Sequence, residues 1–159
     1  MALRPSLALQ PPTSEHVDRV RTAAIGTLAG LDRGEDVGER ISVLNAMTGR
    51  EYDWTYFESF HGHTSIDAFV KEAALPAPSF VSDITRDELI EIVRLAKMVD
   101  WPDSLYYRSL LDRNVPMSGA SSLLDYPERW RPGQDLSTYN PSPEDIVDRA
   151  TRPGNVIQL

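Results

Sequence analysis

The strongest constraint on the fold is a helix start in the second half of the chain, the segment Thr85-Arg-Asp-Glu88. In such a capping box the Thr hydroxyl accepts a hydrogen bond from the Glu amide, and the Glu carboxylate accepts one from the Thr amide. The apolar residues that follow recur at helical spacing, namely Leu89, Ile92, Val93 and Ala96. This pattern predicts a helix over 85–98.

The rest of the chain carries further helix signals. N-cap residues, prolines suited to a first turn and apolar stripes predict helices beginning at Thr13 or Ser14, near Glu35, at Thr64 or Ser65, near Pro102 and at Ser142. The apolar segment before Pro127 has room for only one or two turns. We therefore predict a mainly α fold.

The region 41–57 allows two interpretations. Ile41, Leu44 and Thr48 form one helical stripe, and Gly49 suits a helix end. The residues that alternate around Thr48-Gly49 as in a hairpin are Ile41, Val43, Tyr52, Trp54 and Tyr56. We predict a helix here, with a small hairpin at 41–57 as the alternative.

Composition shifts suggest three regions along the chain. Residues 1–12 contain three prolines and no periodicity, which predicts a flexible arm. A break is expected at Pro76 and Pro78. It separates an N-terminal helical region, 13–77, of unknown role from a helical bundle over 78–159.

Charge and cysteine content exclude several classes of function. Asp and Glu number 24 against 16 Lys and Arg, a net charge of −8, which disfavours nucleic acid and favours a partner with a basic surface. We expect no membrane span, because no apolar run is long enough, and no secretion signal. Cysteine is absent, and we expect a cytoplasmic protein.

No constellation of catalytic residues stands out. There is no nucleophile elbow, and no glycine-rich phosphate loop precedes a helix. We therefore expect neither an enzyme nor a cofactor. His61-Gly-His63 with Asp67 lacks further metal ligands, so we also expect no bound metal. A small metal-dependent enzyme using His61, His63 and Asp67 is the alternative function, and a non-toxin adaptor is another.

A binding surface is the remaining possibility, and the segment before Pro127 is the candidate. Asp125 and Tyr126 place a charge beside an aromatic ring with a polar tip, which is typical of interface hot spots. The competing interpretation is that Leu123, Leu124 and Tyr126 belong to the core and that Asp125 is an ordinary surface charge.

Three blocks of the second half resemble the colicin and pyocin nuclease-immunity proteins, covering residues from about 82 to 150. Ser82-Asp-Ile-Thr-Arg-Asp-Glu-Leu-Ile-Glu-Ile-Val93 is similar to the start of that family's first helix. Ser121-Ser-Leu-Leu-Asp-Tyr-Pro127, after Pro116 and Gly119, resembles its Ser-Asp-Leu-Ile-Tyr-Tyr-Pro. Ser142-Pro-Glu-Asp-Ile-Val147 resembles the Ser-Pro-x-x-Ile-Val of its fourth helix.

The resemblance implies a four-helix bundle with a short third helix. It also implies an immunity-type inhibitor that binds and neutralises a basic bacterial toxin domain, a nuclease in that family. Tyr126 and Pro127 match the family's second Tyr and its Pro, whereas Asp125 replaces its first Tyr and Ser122 its Asp. The partner-binding residues expected on this basis are Asp103, Ser121, Ser122, Leu124, Asp125, Tyr126 and Pro127.

Overall fold

The computed structural model describes residues 2–153, which form eight α-helices and one 3₁₀ helix without a β-strand among them. The mainly α fold predicted from the sequence is confirmed. No helix within 2–153 combines the length and apolarity that crossing a membrane would require. The helices are α1 (Ser14–Asp32), α2 (Gly38–Thr48), α3 (Trp54–Glu58), α4 (Phe60–His63), α5 (Ile66–Ala73), α6 (Arg86–Met98), α7 (Asp103–Asn114), the 3₁₀ helix (Ala120–Leu124) and α8 (Pro143–Ala150).

The chain divides into two compact units. The first, here called the N-terminal unit, comprises residues 10–77 and contains α1 to α5. The second, the C-terminal unit, comprises the chain from Pro78 on together with the first nine residues, and it contains α6, α7, the 3₁₀ helix and α8. Residues 154–159 of the predicted 78–159 bundle lie outside the described residues.

The N-terminal unit is built around an aromatic core. α1 packs against α2 and α5, and the rings of Phe57, Phe60 and Phe69 lie within 6.1 Å of one another, measured between centroids. All three are buried, together with apolar residues of α1 and α2. The aromatic segment after Tyr52 therefore supplies most of the large side chains of this core.

The hairpin alternative at 41–57 is wrong. α2 ends at Thr48 and is followed by Gly49, whose φ of 68° lies in the left-handed region that glycine adopts without strain. The Asn45 side chain then holds the chain beyond the turn, because it accepts from the Tyr52 amide and donates to the Tyr52 carbonyl, both at 2.9 Å. These bonds take the place of a strand pairing, and α3 follows directly.

The C-terminal unit begins with the predicted capping box. The Thr85 hydroxyl accepts from the Glu88 amide at 3.1 Å, and the Glu88 carboxylate accepts from the Thr85 amide at 2.9 Å. α6 packs against α7 and α8, and the 3₁₀ helix also packs against α7 and α8. The fully buried side chains at the centre include Ile92, Leu110, Leu111, Leu123 and Ile146.

Residues 4–9 differ from the flexible arm expected over 1–12. Leu7 is completely buried, and the Tyr106 hydroxyl donates to the Leu7 carbonyl at 3.2 Å. The Arg4 guanidinium donates to Asp83 at 2.8 Å and to both carboxylate oxygens of Glu88 at 2.5 and 2.8 Å. One apolar side chain and one cation, both with partners far away in sequence, attach this segment to the C-terminal unit.

Candidate partner-binding surface

The predicted binding segment is a short, partly exposed turn. Gly119, with a φ of 65°, leads into the 3₁₀ helix, whose Ala120 and Leu123 are buried in the C-terminal unit. Ser121 and Leu124 are half-buried, and Ser122, Asp125 and Tyr126 are exposed. The structure thus assigns Leu123 to the core and leaves Tyr126 on the surface.

Two polar contacts fix the backbone of this segment. The Asp112 carboxylate of α7 accepts from the Ser121 amide at 2.7 Å and from its hydroxyl at 2.8 Å. The Tyr139 hydroxyl lies 2.6 Å from the Leu123 carbonyl oxygen and 3.0 Å from that of Tyr126. A phenol keeps its proton at neutral pH and can donate it to these carbonyls, and burial raises the pKa of the Tyr139 phenol further. The surface residues are therefore presented on a rigid support.

Tyr126 and Trp130 form an aromatic pair at the surface. Their ring centroids are 4.8 Å apart at an interplanar angle of 36°, and the residues are 43% and 36% exposed. Trp130 was not among the binding residues predicted from the sequence. The signal was present as a second large aromatic four residues after Tyr126, with Pro127 between them. Rigid, exposed aromatic rings of this kind are the commonest anchors of protein interfaces.

Asp125 has a partner within its own unit. Arg108 of α7 donates to both of its carboxylate oxygens, at 2.8 and 3.1 Å, and also approaches the Ser121 carbonyl at 3.4 Å. A cation of a binding partner would therefore have to share Asp125 with Arg108. The role of Asp125 toward a basic partner stays a prediction.

Asp103 lies apart from the residues that brace the segment. It occupies the first turn of α7 and is exposed, more than one helical turn before Arg108. Its side chain forms no hydrogen bond or ion pair with another described residue, and at this position its charge complements the positive end of the helix dipole.

The surface beside Pro127 is locally basic. An open pocket of about 440 Å³ is lined by Pro127, Glu128, Arg129, Arg149 and Arg152. The Arg129 backbone has a φ of 85°, which is uncommon for a residue with a side chain. The acidic character of the chain as a whole is therefore not shared by this corner of the C-terminal unit.

The histidines of the N-terminal unit do not assemble into a metal site. Asp67 is paired with Arg21 at 2.7 Å, and His63 Nε2 lies 3.3 Å from the Tyr56 carbonyl oxygen. Within residues 2–153 no three His, Asp or Glu side chains are grouped so that they could hold a metal ion. The arrangement required by the metal-dependent alternative is not formed.

Comparison with known proteins gave no relative. No family model matches this chain, nor does any curated protein or any solved structure.

Proposed function

We propose that the protein is an immunity-type inhibitor, an acidic protein that binds a basic bacterial toxin domain and neutralises it without catalysis. The observation that carries this proposal is the exposed pair of Tyr126 and Trp130. The backbone of the segment that leads to this pair is fixed by hydrogen bonds with the Asp112 and Tyr139 side chains. A rigid aromatic anchor loses little conformational entropy when a partner covers it. A nuclease is the toxin class that the resemblance to immunity proteins favours.

The order of helices in the C-terminal unit supports the same proposal. Two full helices, a short 3₁₀ helix and a final helix follow one another as α6, α7, Ala120–Leu124 and α8. The resemblance to nuclease-immunity proteins implies this order, with a short third helix that carries the tyrosine of the interface.

Net charge supports the choice of a basic partner. At −8 the chain attracts positively charged proteins over a distance of about 10 Å in about 0.1 M salt. Many of its acids are paired with arginines within the fold, as Asp83, Asp125 and Asp148 are. Steering therefore depends on the summed field and on acids such as Asp103 that have no such pair.

Capture from a lysate of the native organism tests this proposal. The full chain serves as bait beside the Tyr126→Ala/Trp130→Ala variant, with Phe80→Ala as a control that removes another exposed aromatic from the same unit. We expect a partner with a basic domain to be retained by the parent and by Phe80→Ala, and to be lost with the double variant.

The captured domain must then be inhibited by the chain. We expect its activity to fall in proportion to added chain and to vanish at a molar ratio of one to one. A captured protein that is acidic, or one whose activity is unchanged by excess chain, would contradict an immunity role.

A further inference from the structure

The N-terminal unit contains a surface pocket with an apolar floor and an acidic rim. Its volume is about 280 Å³, and Leu28 and Phe57, both buried, contribute to its lining. Asp32, Trp54, Glu58 and His61 line the same pocket. No part of the resemblance to immunity proteins covers this unit.

Neither of the two carboxylates is bonded to a described cation. Within the part of the chain that is described, neither Asp32 nor Glu58 forms a salt bridge or a side-chain hydrogen bond, whereas Arg33, the neighbour of Asp32, is paired with Glu35 at 2.7 Å. Arg33 acts on Asp32 through its charge alone and not through a hydrogen bond. A positive charge entering this pocket would therefore meet carboxylate oxygens that no internal arginine already occupies.

Helix geometry makes this part of the surface more favourable for a cation. Asp32 is the last residue of α1 and Glu58 is the last residue of α3. At the end of the 19-residue α1 the aligned peptide dipoles leave partial negative charge, so an acid there is disfavoured and a cation is favoured. Neither helix has a basic residue in its last turn.

Trp54 adds an aromatic wall. It is the first residue of α3 and is 52% exposed, although most aromatic residues around it are buried or half-buried. The Asp53 carboxylate caps α3 by accepting a hydrogen bond from the Tyr56 amide at 2.9 Å. This cap stabilises the helix that contains Trp54 and Glu58. Indole is the aromatic group that attracts cations most strongly.

We propose that this pocket binds the side chain of an arginine on a protein partner. The planar guanidinium can stack on Trp54 and donate to the Asp32 and Glu58 carboxylates, and its aliphatic stem suits the apolar floor. Acidic residues also outnumber basic ones in residues 10–77. That the partner is a toxin domain rests on the proposed function, whereas the preference of the pocket for arginine does not.

Short peptides can test the pocket without the partner. The full-length chain is labelled with ¹⁵N, and its three tryptophans give three indole N–H signals, which are assigned by replacing each Trp with Phe. The probes are acetyl-Gly-Arg-Gly-amide, the same peptide with citrulline, which has the shape of arginine without the charge, and the same peptide with lysine.

We expect the arginine peptide to shift the Trp54 signal saturably at millimolar concentration and to leave the Trp101 and Trp130 signals in place. The lysine peptide should bind more weakly, and the citrulline peptide should not bind.

Asp32→Asn/Glu58→Gln should weaken arginine binding by about tenfold or more, because charge-assisted bonds are lost. Asp18→Asn/Glu39→Gln makes the same change of net charge at other exposed acids of this unit and should leave affinity within about twofold.

Three results would overturn the inference: no shift of Trp54, equal shifts with arginine and citrulline, or equal loss of affinity in the two double variants. None of them bears on capture through Tyr126 and Trp130. Failure of the arginine pocket and failure of the immunity role can therefore be told apart.

Discussion

At the scale of single residues, Tyr126 is exposed because the buried neighbour Leu123 and the Tyr139 hydroxyl hold its backbone in place. Tyr126→Ala should weaken the complex by about 2 kcal/mol or more, chiefly through faster dissociation. The measurement is a kinetic binding assay with the captured partner. A denaturation curve of the same variant shows whether it is still folded. Unchanged affinity in a well-folded variant would remove Tyr126 from the interface.

The ion pair of Asp125 and Arg108 predicts opposite changes in association rate when one or the other residue is neutralised. Asp125→Asn should slow association with a basic partner, most clearly at low ionic strength, because it also leaves the Arg108 charge uncompensated. Arg108→Gln should speed association for the converse reason. Both residues are partly exposed, so either change should cost no more than about 1 kcal/mol of folding stability. Equal rates for parent and variants across salt concentrations would show that this pair does not face the partner.

Glu88 should make the stability of the protein depend on acid pH. Hydrogen bonds from the Arg4 side chain, and after them the bond from the Thr85 backbone, hold the pKa of the Glu88 carboxyl below its ordinary value of 4.5. A lowered pKa in the folded state stabilises the fold above the unfolded-state pKa, and this contribution is lost as the pH falls through the folded pKa.

The matching variant is Glu88→Gln, which keeps a side chain able to complete the capping box but removes the charge. Between about pH 6 and about pH 3 the parent should lose more unfolding free energy than Glu88→Gln. If chemical denaturation shows that the parent and Glu88→Gln lose the same unfolding free energy over this pH range, Glu88 is not the cause of the pH dependence.

At the scale of elements, α6 depends on its cap. Thr85→Ala removes the hydroxyl that accepts from the Glu88 amide and should lower the free energy of unfolding by about 0.5–2 kcal/mol, without changing binding to the partner. Thr85→Ser keeps the hydroxyl and is the control. A denaturation midpoint equal to that of the parent would mean that the cap contributes nothing.

The segment formed by residues 4–9 should behave as part of the C-terminal unit. Leu7→Ala removes a fully buried side chain and should cost about 2–5 kcal/mol of stability. Ser6→Ala, an exposed change one residue away, should leave the denaturation midpoint in place. A stable Leu7→Ala protein would instead support the flexible arm that the sequence predicts.

At the scale of the whole molecule, local patterns were predictable and distant contacts were not. Thr13, Ser65, Thr85 and Ser142 cap their helices as side-chain acceptors for an amide three residues ahead, and a bond that spans three residues is visible in the sequence. The prediction of helix over hairpin near Gly49 also succeeded, because a glycine at a helix end is a local signal.

The site was harder to predict because its contacts join residues far apart in sequence. Tyr126 was identified from its neighbours, but the pairing of Asp125 with Arg108 spans 17 residues, and the bond between the Tyr139 hydroxyl and the Leu123 carbonyl spans 16. The contact between Arg4 and Glu88 spans 84. No periodicity encodes such pairs, which form only when helices pack.

The measurement that tests the immunity role most directly is growth of cells that express the basic domain of the captured partner. Co-expression of the parent chain should restore growth, Phe80→Ala should restore it equally, and Tyr126→Ala/Trp130→Ala should fail although it is present at the same level. Growth that the parent chain does not restore, or that the double variant restores fully, would contradict the proposal that this surface neutralises a toxin.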